Sequence, residues 1–140
     1  MIRARAFLAV ALLGGCMASG RDRAREQAIA AQRADRQGMS YEALVTHLQI
    51  CRWHHAMPQD YTAAVLAETV SKAPWSEEER CLVRGGKIRP GFSEDQVLVA
   101  WGEPDRTHTT TYRLGTIKYL HYRSGAVVHL KNGCVDIISQ

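Results

Sequence analysis

An α+β fold is predicted by two patterns that follow one another along this chain of 140 residues. Between residues 40 and 101, apolar residues recur at the three- and four-residue spacing of amphipathic helices, and two of the helix starts carry capping-box sequences. After Pro104, polar and apolar residues alternate as they do in strands, and glycine-containing turns separate the alternating runs. We therefore expect a helical tether and a helical hairpin, followed by two short helices packed on a three- to four-stranded antiparallel β-meander.

The charge distribution excludes one broad class of function. The net charge is +4, but residues 39–140 carry 11 basic and 11 acidic side chains, so the basic excess lies in the first 38 residues. A neutral body behind a basic leader lacks the electrostatic footprint of a nucleic-acid-binding domain. The length and the 46% apolar content are those of one globular domain with a short extension. No nucleic-acid partner is expected.

Residues 1–15 are predicted to be a bacterial lipoprotein signal peptide. Arg3 and Arg5 give a basic start, and the apolar run at 6–13 is far shorter than the roughly 20 residues that a spanning helix needs. The run ends in Leu13-Gly14-Gly15-Cys16, which resembles a lipobox: two small residues fit the cleft of the signal peptidase, and the thiol accepts a diacylglyceryl group. The alternative is an ordinary secretory signal with an incidental cysteine.

The lipobox resemblance implies a location for the mature chain, residues 16–140. Cys16 would be triacylated, and several acyl chains hold a protein stably at a membrane where one chain does not. Met17 stands where an aspartate commonly retains lipoproteins at the inner membrane, so outer-membrane sorting is favoured. We expect a lipid-anchored protein on the periplasmic face of the outer membrane.

Residues 16–38 are predicted to be a basic tether. Arg, Ala and Gln dominate this segment, the apolar stripe is weak, and Gly38 is a natural stop for a helix. Two interpretations remain open. The segment is either a helical spacer whose arginines also approach anionic headgroups, or a solvated leader.

Residues 39–74 are predicted to form the helical hairpin. Ser40 is a candidate N-cap, Pro58 is expected in the first turn of the second helix, and Ala73-Pro74 ends that helix. His47, Cys51 and His55 are spaced four apart and share one side of the first helix, as three zinc ligands would. Three ligands on one helix rarely converge without a fourth from elsewhere. We therefore expect Cys51 to pack inward and expect no metal site.

Residues 75–140 are predicted to form the helix-on-sheet module. Ser76 with Glu79, and Ser93 with Gln96, have the spacing of two capping boxes. Four strands are expected near 107–113, 116–123, 126–131 and 134–139. The turns between them are Leu114-Gly115, Ser124-Gly125 and Asn132-Gly133. With two-residue turns, Leu120, Tyr122, Val127 and Ile138 share the outward face, and we expect them to form a partner-binding patch. The alternative is that the hairpin at 40–73 or an extra loop covers these residues.

Cys51 and Cys81 are the candidate disulfide pair. Once Cys16 is acylated, Cys51, Cys81 and Cys134 remain, so one intramolecular bond leaves one thiol over. The oxidising periplasm favours such a bond, and closing a segment of about 30 residues would stabilise the fold by roughly 3 kcal/mol. The alternative is that a buried cysteine stays reduced as a small apolar residue.

A family resemblance covers about residues 82–140. Gly91-Phe92-Ser93-Glu94-Asp95-Gln96-Val97 and Trp101-Gly102-Glu103-Pro104-Asp105 resemble the SmpA/OmlA (BamE-like) module of outer-membrane lipoproteins, and Tyr119, Tyr122 and the Asn132-Gly133 turn agree with it. The resemblance implies two helices against an antiparallel three-stranded sheet and an accessory role in the machinery that inserts outer-membrane β-barrels. Phe92 and Leu130 depart from the usual Met and Phe, and the hairpin at 40–73 has no counterpart in the small founding members.

A non-catalytic role is predicted. The chain has no Cys-x-x-Cys pair, no Gly-x-Ser-x-Gly nucleophile elbow and no phosphate-binding glycine loop, and no cofactor is expected. We expect an outer-membrane lipoprotein that acts as a protein-binding or assembly accessory, with the membrane, through acylated Cys16, and envelope proteins such as barrel-assembly components as partners. The alternative is a lipid-anchored inhibitor or ligand-binding module, because β-lactamase inhibitor proteins have a similar helix-on-sheet arrangement.

Overall fold

The computed structural model describes residues 20–54 and 56–140. The predicted signal peptide, Cys16 and His55 lie outside these residues. The helices are α1 Gly20–Gln37, α2 Tyr41–Trp53, α3 Gln59–Lys72, α4 Glu77–Arg84 and α5 Glu94–Trp101. The strands are β1 Arg106–Tyr112, β2 Gly115–His121, β3 Val127–Lys131 and β4 Cys134–Ser139. The sheet is an antiparallel meander in the order β1-β2-β3-β4, and the predicted α+β fold is confirmed.

The chain divides into two units, residues up to 34 and residues 35–140. The described part of the first unit is the stretch of α1 from residue 20 to residue 34, in which the side chains of residues 29–34 are exposed. No helix in the described part of the chain has both the length and the apolar content needed to cross a membrane.

Three of the helices begin at the serine N-caps that the sequence predicts. The Ser40 hydroxyl accepts from the Ala43 amide at 3.2 Å. At α4 and α5 both capping boxes are complete, because each serine accepts from the amide three residues on and the Glu or Gln side chain accepts from the serine amide. Such pairs satisfy amides that have no partner within the helix. These predictions are confirmed.

The core of the second unit lies between the helices and one face of the sheet. It contains Leu48 of α2, Val65 and Val70 of α3, Val83 of α4, Val97 and Val99 of α5, and Leu120, Val128, Leu130 and Val135 of the sheet. Phe92, before α5, is the largest of the fully buried side chains. Polar contacts also join the hairpin to the module, since the Tyr41 hydroxyl donates to Asp95 and Arg80 donates to the Ala73 carbonyl at 2.8 Å.

Four residues were predicted to lie on the outward face of the sheet, and for three of them the prediction is wrong. Leu120 is 1% exposed, and Tyr122 and Ile138 pack against the same core, so these three face the helices. Only Val127 lies on the opposite face, where it pairs with His121. The outer face carries Ile117, Tyr119, His129 and Ile137 beside Val127.

The length of one turn explains the error. Tyr122 pairs with Ala126 through an N–H···O bond of 2.9 Å, so the turn between β2 and β3 has three residues rather than two. Gly125 closes it at φ 92°, a left-handed conformation that glycine adopts without strain. A change of one residue in register moves every side chain to the other face of a strand. A further irregularity at His129/Leu130 shifts the pairing with β4.

The predicted Cys51–Cys81 bond is absent from the structure, where both residues and Cys134 are free thiols. Cys51 points into the core from α2, and burial raises the pKa of its thiol. Cys81 lies on the exposed side of α4. The two side chains therefore face different environments, and Cys51 acts as a small apolar core residue.

Candidate protein-binding surface

Large apolar side chains are exposed on the side of α2 that faces away from the core. Leu44, Leu48 and Cys51 occupy the buried side of this helix. Ile50 and Trp53 lie three residues apart on the other side and are 47% and 75% exposed. Tryptophan is among the residues enriched in the energetic centres of protein interfaces. An exposed tryptophan beside other apolar groups therefore marks a candidate contact surface.

Trp53 stands between two open cavities. The first, of about 410 Å³, is lined mainly by apolar atoms and includes Ile50 and Leu98. The second, of about 570 Å³, extends past Pro104 to Asp105 and Arg123. Trp53 and Glu103 line both. We call Val45, Ile50, Trp53, Leu98 and Glu103 the Trp53 surface.

Hydrogen bonds from α2 to the end of α5 fix the shape of this surface. Arg52 donates from Nη1 to the Leu98 carbonyl at 3.0 Å and from Nη2 to the Val99 carbonyl at 2.7 Å. Gln49 donates to the Leu98 carbonyl at 3.0 Å. The Leu98 carbonyl also accepts from the Gly102 amide at 2.8 Å, whereas carbonyls of a last turn such as that of Val99 have no intrahelical partner. The guanidinium satisfies the Val99 carbonyl and also interacts favourably with the negative end of the helix dipole. Burial lowers the pKa of Arg52, although an arginine remains charged at any physiological pH.

Tyr122 supports the same junction from the sheet. Its hydroxyl donates to the Gly102 carbonyl at 3.1 Å, and its ring meets the Trp101 ring edge to face with centroids 5.3 Å apart. Gly102 ends α5 at φ 86°, and a Cβ there would lie 3.5–3.6 Å from atoms of Arg52 and Gln49. Tyr122 is thus a structural support beneath the Trp53 surface.

We expect the protein to lose stability between about pH 10 and pH 12 and expect the replacement of Tyr122 with phenylalanine to reduce this loss. Burial is the largest cause that raises the pKa of Tyr122 from 10.0 to about 12; Glu94 also raises it, and Arg52 opposes the shift. The folded state therefore holds the phenolic proton more tightly than the unfolded chain. This contribution is complete below pH 10 and is lost as the pH rises through about 12.

Urea unfolding at about pH 9 and about pH 11.5 measures the effect for Tyr122→Phe. Tyr112→Phe is the matched control, because Tyr112 is 55% exposed on β1. The control should keep the full pH dependence, as should the unmodified protein. A pH dependence that Tyr122→Phe leaves unchanged would contradict the assignment.

Acidic groups border the apolar part of the Trp53 surface. Glu103 is exposed and forms no ion pair within the described residues. Asp105 pairs with Arg123 at 3.3 Å, but the arginine side chain is 92% exposed, so this pair contributes little to stability and exchanges readily with another cation. Glu103 therefore contributes an exposed carboxylate, unpaired within the described residues, beside the apolar side chains of the Trp53 surface.

Of the three α2 residues with zinc-ligand spacing, His47 and Cys51 lie in the described part of the chain and make other contacts. His47 Nε2 lies 2.9 Å from the Tyr61 hydroxyl, and Cys51 is in the core. Across residues 20–54 and 56–140, no three His, Cys, Asp or Glu side chains come together in a group that could hold a metal ion.

The exposure of Trp53 could have been predicted from its position in the helical pattern of the sequence. Ile50 and Trp53 fall on the face opposite Leu44, Leu48 and Cys51. Two large apolar residues on the outer face of an amphipathic helix are an indication of a contact surface.

No family model, no curated protein and no solved structure matches the chain.

Proposed function

We propose that the protein is a lipid-anchored, non-catalytic accessory of the bacterial outer membrane that binds another envelope protein through the Trp53 surface. The observation that carries the binding role is the exposure of Trp53 between two cavities, on a helix that the side chains of Arg52 and Gln49 bond to the end of α5. A rigidly supported aromatic anchor loses little conformational entropy on binding. The Leu13-Gly14-Gly15-Cys16 run supports the anchoring role.

The partner is expected to present an aliphatic side chain to the groove between Ile50 and Leu98 and a basic side chain to Glu103. This arrangement combines an apolar centre with a charged rim, as in many reversible protein interfaces. The resemblance of residues 82–140 to the SmpA/OmlA module makes barrel-assembly components the first partners to test.

Replacing Trp53 with alanine is expected to weaken binding of that partner by roughly 30- to 1,000-fold, the effect of truncating an interface tryptophan worth about 2–4 kcal/mol. The protein is purified from detergent-solubilised membranes, the co-purifying envelope proteins are identified, and the affinity of each for the variants is then measured. Glu103→Lys should also weaken binding, because it repels the basic side chain of the partner.

The control is Leu114→Ala, which removes an apolar side chain that is 91% exposed at the turn between β1 and β2. It should leave binding unchanged. Equal binding by Trp53→Ala and the unmodified protein would exclude the Trp53 surface. Capture of a single soluble enzyme in place of envelope components would favour the inhibitor alternative.

A further inference from the structure

The two edges of the sheet differ in the state of their backbone groups. The outer edge of β4 is occupied by the segment before α5. The Gly91 amide donates to the Val135 carbonyl at 2.8 Å, and the Val135 amide donates to the Phe92 carbonyl at 2.7 Å. The Glu94 amide also donates to the Gly133 carbonyl at 3.1 Å. These bonds cover the start of β4, and the irregularity at His129/Leu130 interrupts its regular pairing with β3.

The outer edge of β1 is open. Six of its seven residues are exposed, and no other element of residues 20–54 and 56–140 pairs with it. Its pairing with β2 is continuous from Arg106 to Tyr112, without a bulge. The strand contains four threonines, no proline and no acidic residue, and Arg106 is its one residue with a permanent charge. The features that natural proteins use to protect edge strands are therefore almost absent from β1.

The alternation of the ladder identifies the free groups. The Thr116 carbonyl accepts from Asn132, and the Tyr122 amide donates to Ala126, so the even-numbered residues of β2 direct their hydrogen bonds to β3. The odd-numbered residues of β2 then bond to the even-numbered residues of β1 that pair with them. The free N–H and C=O groups of β1 therefore belong to Thr107, Thr109 and Thr111.

The free N–H and C=O groups of these three residues can form hydrogen bonds with the same three residues of a second copy of the chain. In an antiparallel pair centred on Thr109, Thr109 lies opposite Thr109 of the second copy, and Thr107 lies opposite its Thr111. No other antiparallel register pairs all three, and each such pair exchanges two hydrogen bonds.

The side chains agree with this register. Arg106 lies opposite Tyr112 of the second copy, a cation–aromatic pair, and His108 lies opposite its Thr110. No two like charges face each other. On the other face of the ribbon, threonine meets threonine, a pair that is favourable across strands.

We propose that a second copy of this chain pairs with β1 in an antiparallel manner about Thr109, so that the two four-stranded sheets form one continuous sheet with a twofold axis. This interface uses the edge of the sheet, whereas the Trp53 surface lies on α2 and α5. The dimer could therefore bind one partner on each copy.

Cysteine cross-linking of the full chain tests the register. Thr109→Cys is made in a Cys81→Ser/Cys134→Ser background, which removes the two exposed native thiols. Opposed residues in a hydrogen-bonded pair have Cα atoms about 5.5 Å apart, within the span of a disulfide. Mild oxidation should give a covalent dimer, whereas the parent background should give no covalent dimer.

Thr107→Cys is the matched control for this register. Its two copies would be offset by four residues, or roughly 13 Å along the strand, and should not cross-link. A mixture of the Thr107→Cys and Thr111→Cys proteins should cross-link instead. Equal cross-linking of Thr107→Cys and Thr109→Cys alone would overturn the proposed register.

A charge exchange at Thr109 tests the interface without cysteine. Thr109→Lys and Thr109→Glu each place like charges opposite one another and should associate at least about tenfold more weakly than the unmodified chain. An equal mixture of the two variants should recover the dimer, because opposite charges then face each other. Sedimentation measures the association of each variant and of the mixture, and circular dichroism tests whether the variants fold. An unmodified chain that stays monomeric at every concentration would overturn the proposal and leave β1 as an edge for a strand of another protein.

Discussion

Replacing Phe92 with alanine is expected to lower the free energy of unfolding by about 3–5 kcal/mol. The side chain is 1% exposed and lies in the core with residues from α5 and the sheet. Alanine would remove the buried ring and leave a cavity, since close-packed neighbours relax only partly. A domain of this size is stable by about 5–15 kcal/mol, so much of that stability would be lost.

Urea unfolding followed by circular dichroism measures this loss. Phe92→Met is the conservative control, because methionine fills irregular core space and such swaps cost less than about 1.5 kcal/mol. Leu114→Ala is the surface control and should change the unfolding free energy by less than about 0.5 kcal/mol. A loss below about 1 kcal/mol for Phe92→Ala would contradict its position at the centre of the core.

Replacing Cys16 with serine is expected to remove essentially all of the protein from the membrane fraction. A serine hydroxyl cannot take the place of the thiol that receives the diacylglyceryl group, and each buried CH₂ of an acyl chain contributes about 0.8 kcal/mol to membrane binding. The loss of all the chains therefore removes the proposed anchor. Cell fractionation and metabolic labelling with a fatty acid measure retention and acylation separately.

The control for this variant is Cys81→Ser, which changes an exposed cysteine on α4. It should leave both labelling and membrane retention intact. Fatty-acid label that survives in Cys16→Ser would contradict the lipoprotein assignment. Label that disappears while the protein stays in the membrane fraction would show that another contact holds it there.

The Trp53 surface and the proposed dimer interface share no residue. The Trp53 surface depends on α2 and the end of α5, and the dimer depends on the edge of β1. Trp53→Ala is therefore expected to keep the dimer, and Thr109→Lys is expected to keep partner binding. Each variant serves as a folding control for the other.

Features that depend only on neighbouring residues could be predicted from the sequence. Ser76 with Glu79 and Ser93 with Gln96 cap helices because their bonds close within four residues. The Asn132-Gly133 turn forms because both residues accept positive φ, at 51° and 84°. The α+β class followed from the change in apolar period after Pro104, since each period matches one kind of backbone geometry.

Which side chains face the core and which face solvent depends on packing between distant parts of the chain. Three residues rather than two in the turn before Ala126 moved Leu120 and Tyr122 from the predicted outer face to the inner face. The exposure of Trp53 depends on where α2 packs against α5. The segment before α5 bonds to the start of β4, whereas no segment of the described residues bonds to the outer edge of β1. A local pattern fixes the period of a strand or helix, but its phase relative to the core is set by contacts between residues that are distant in the chain.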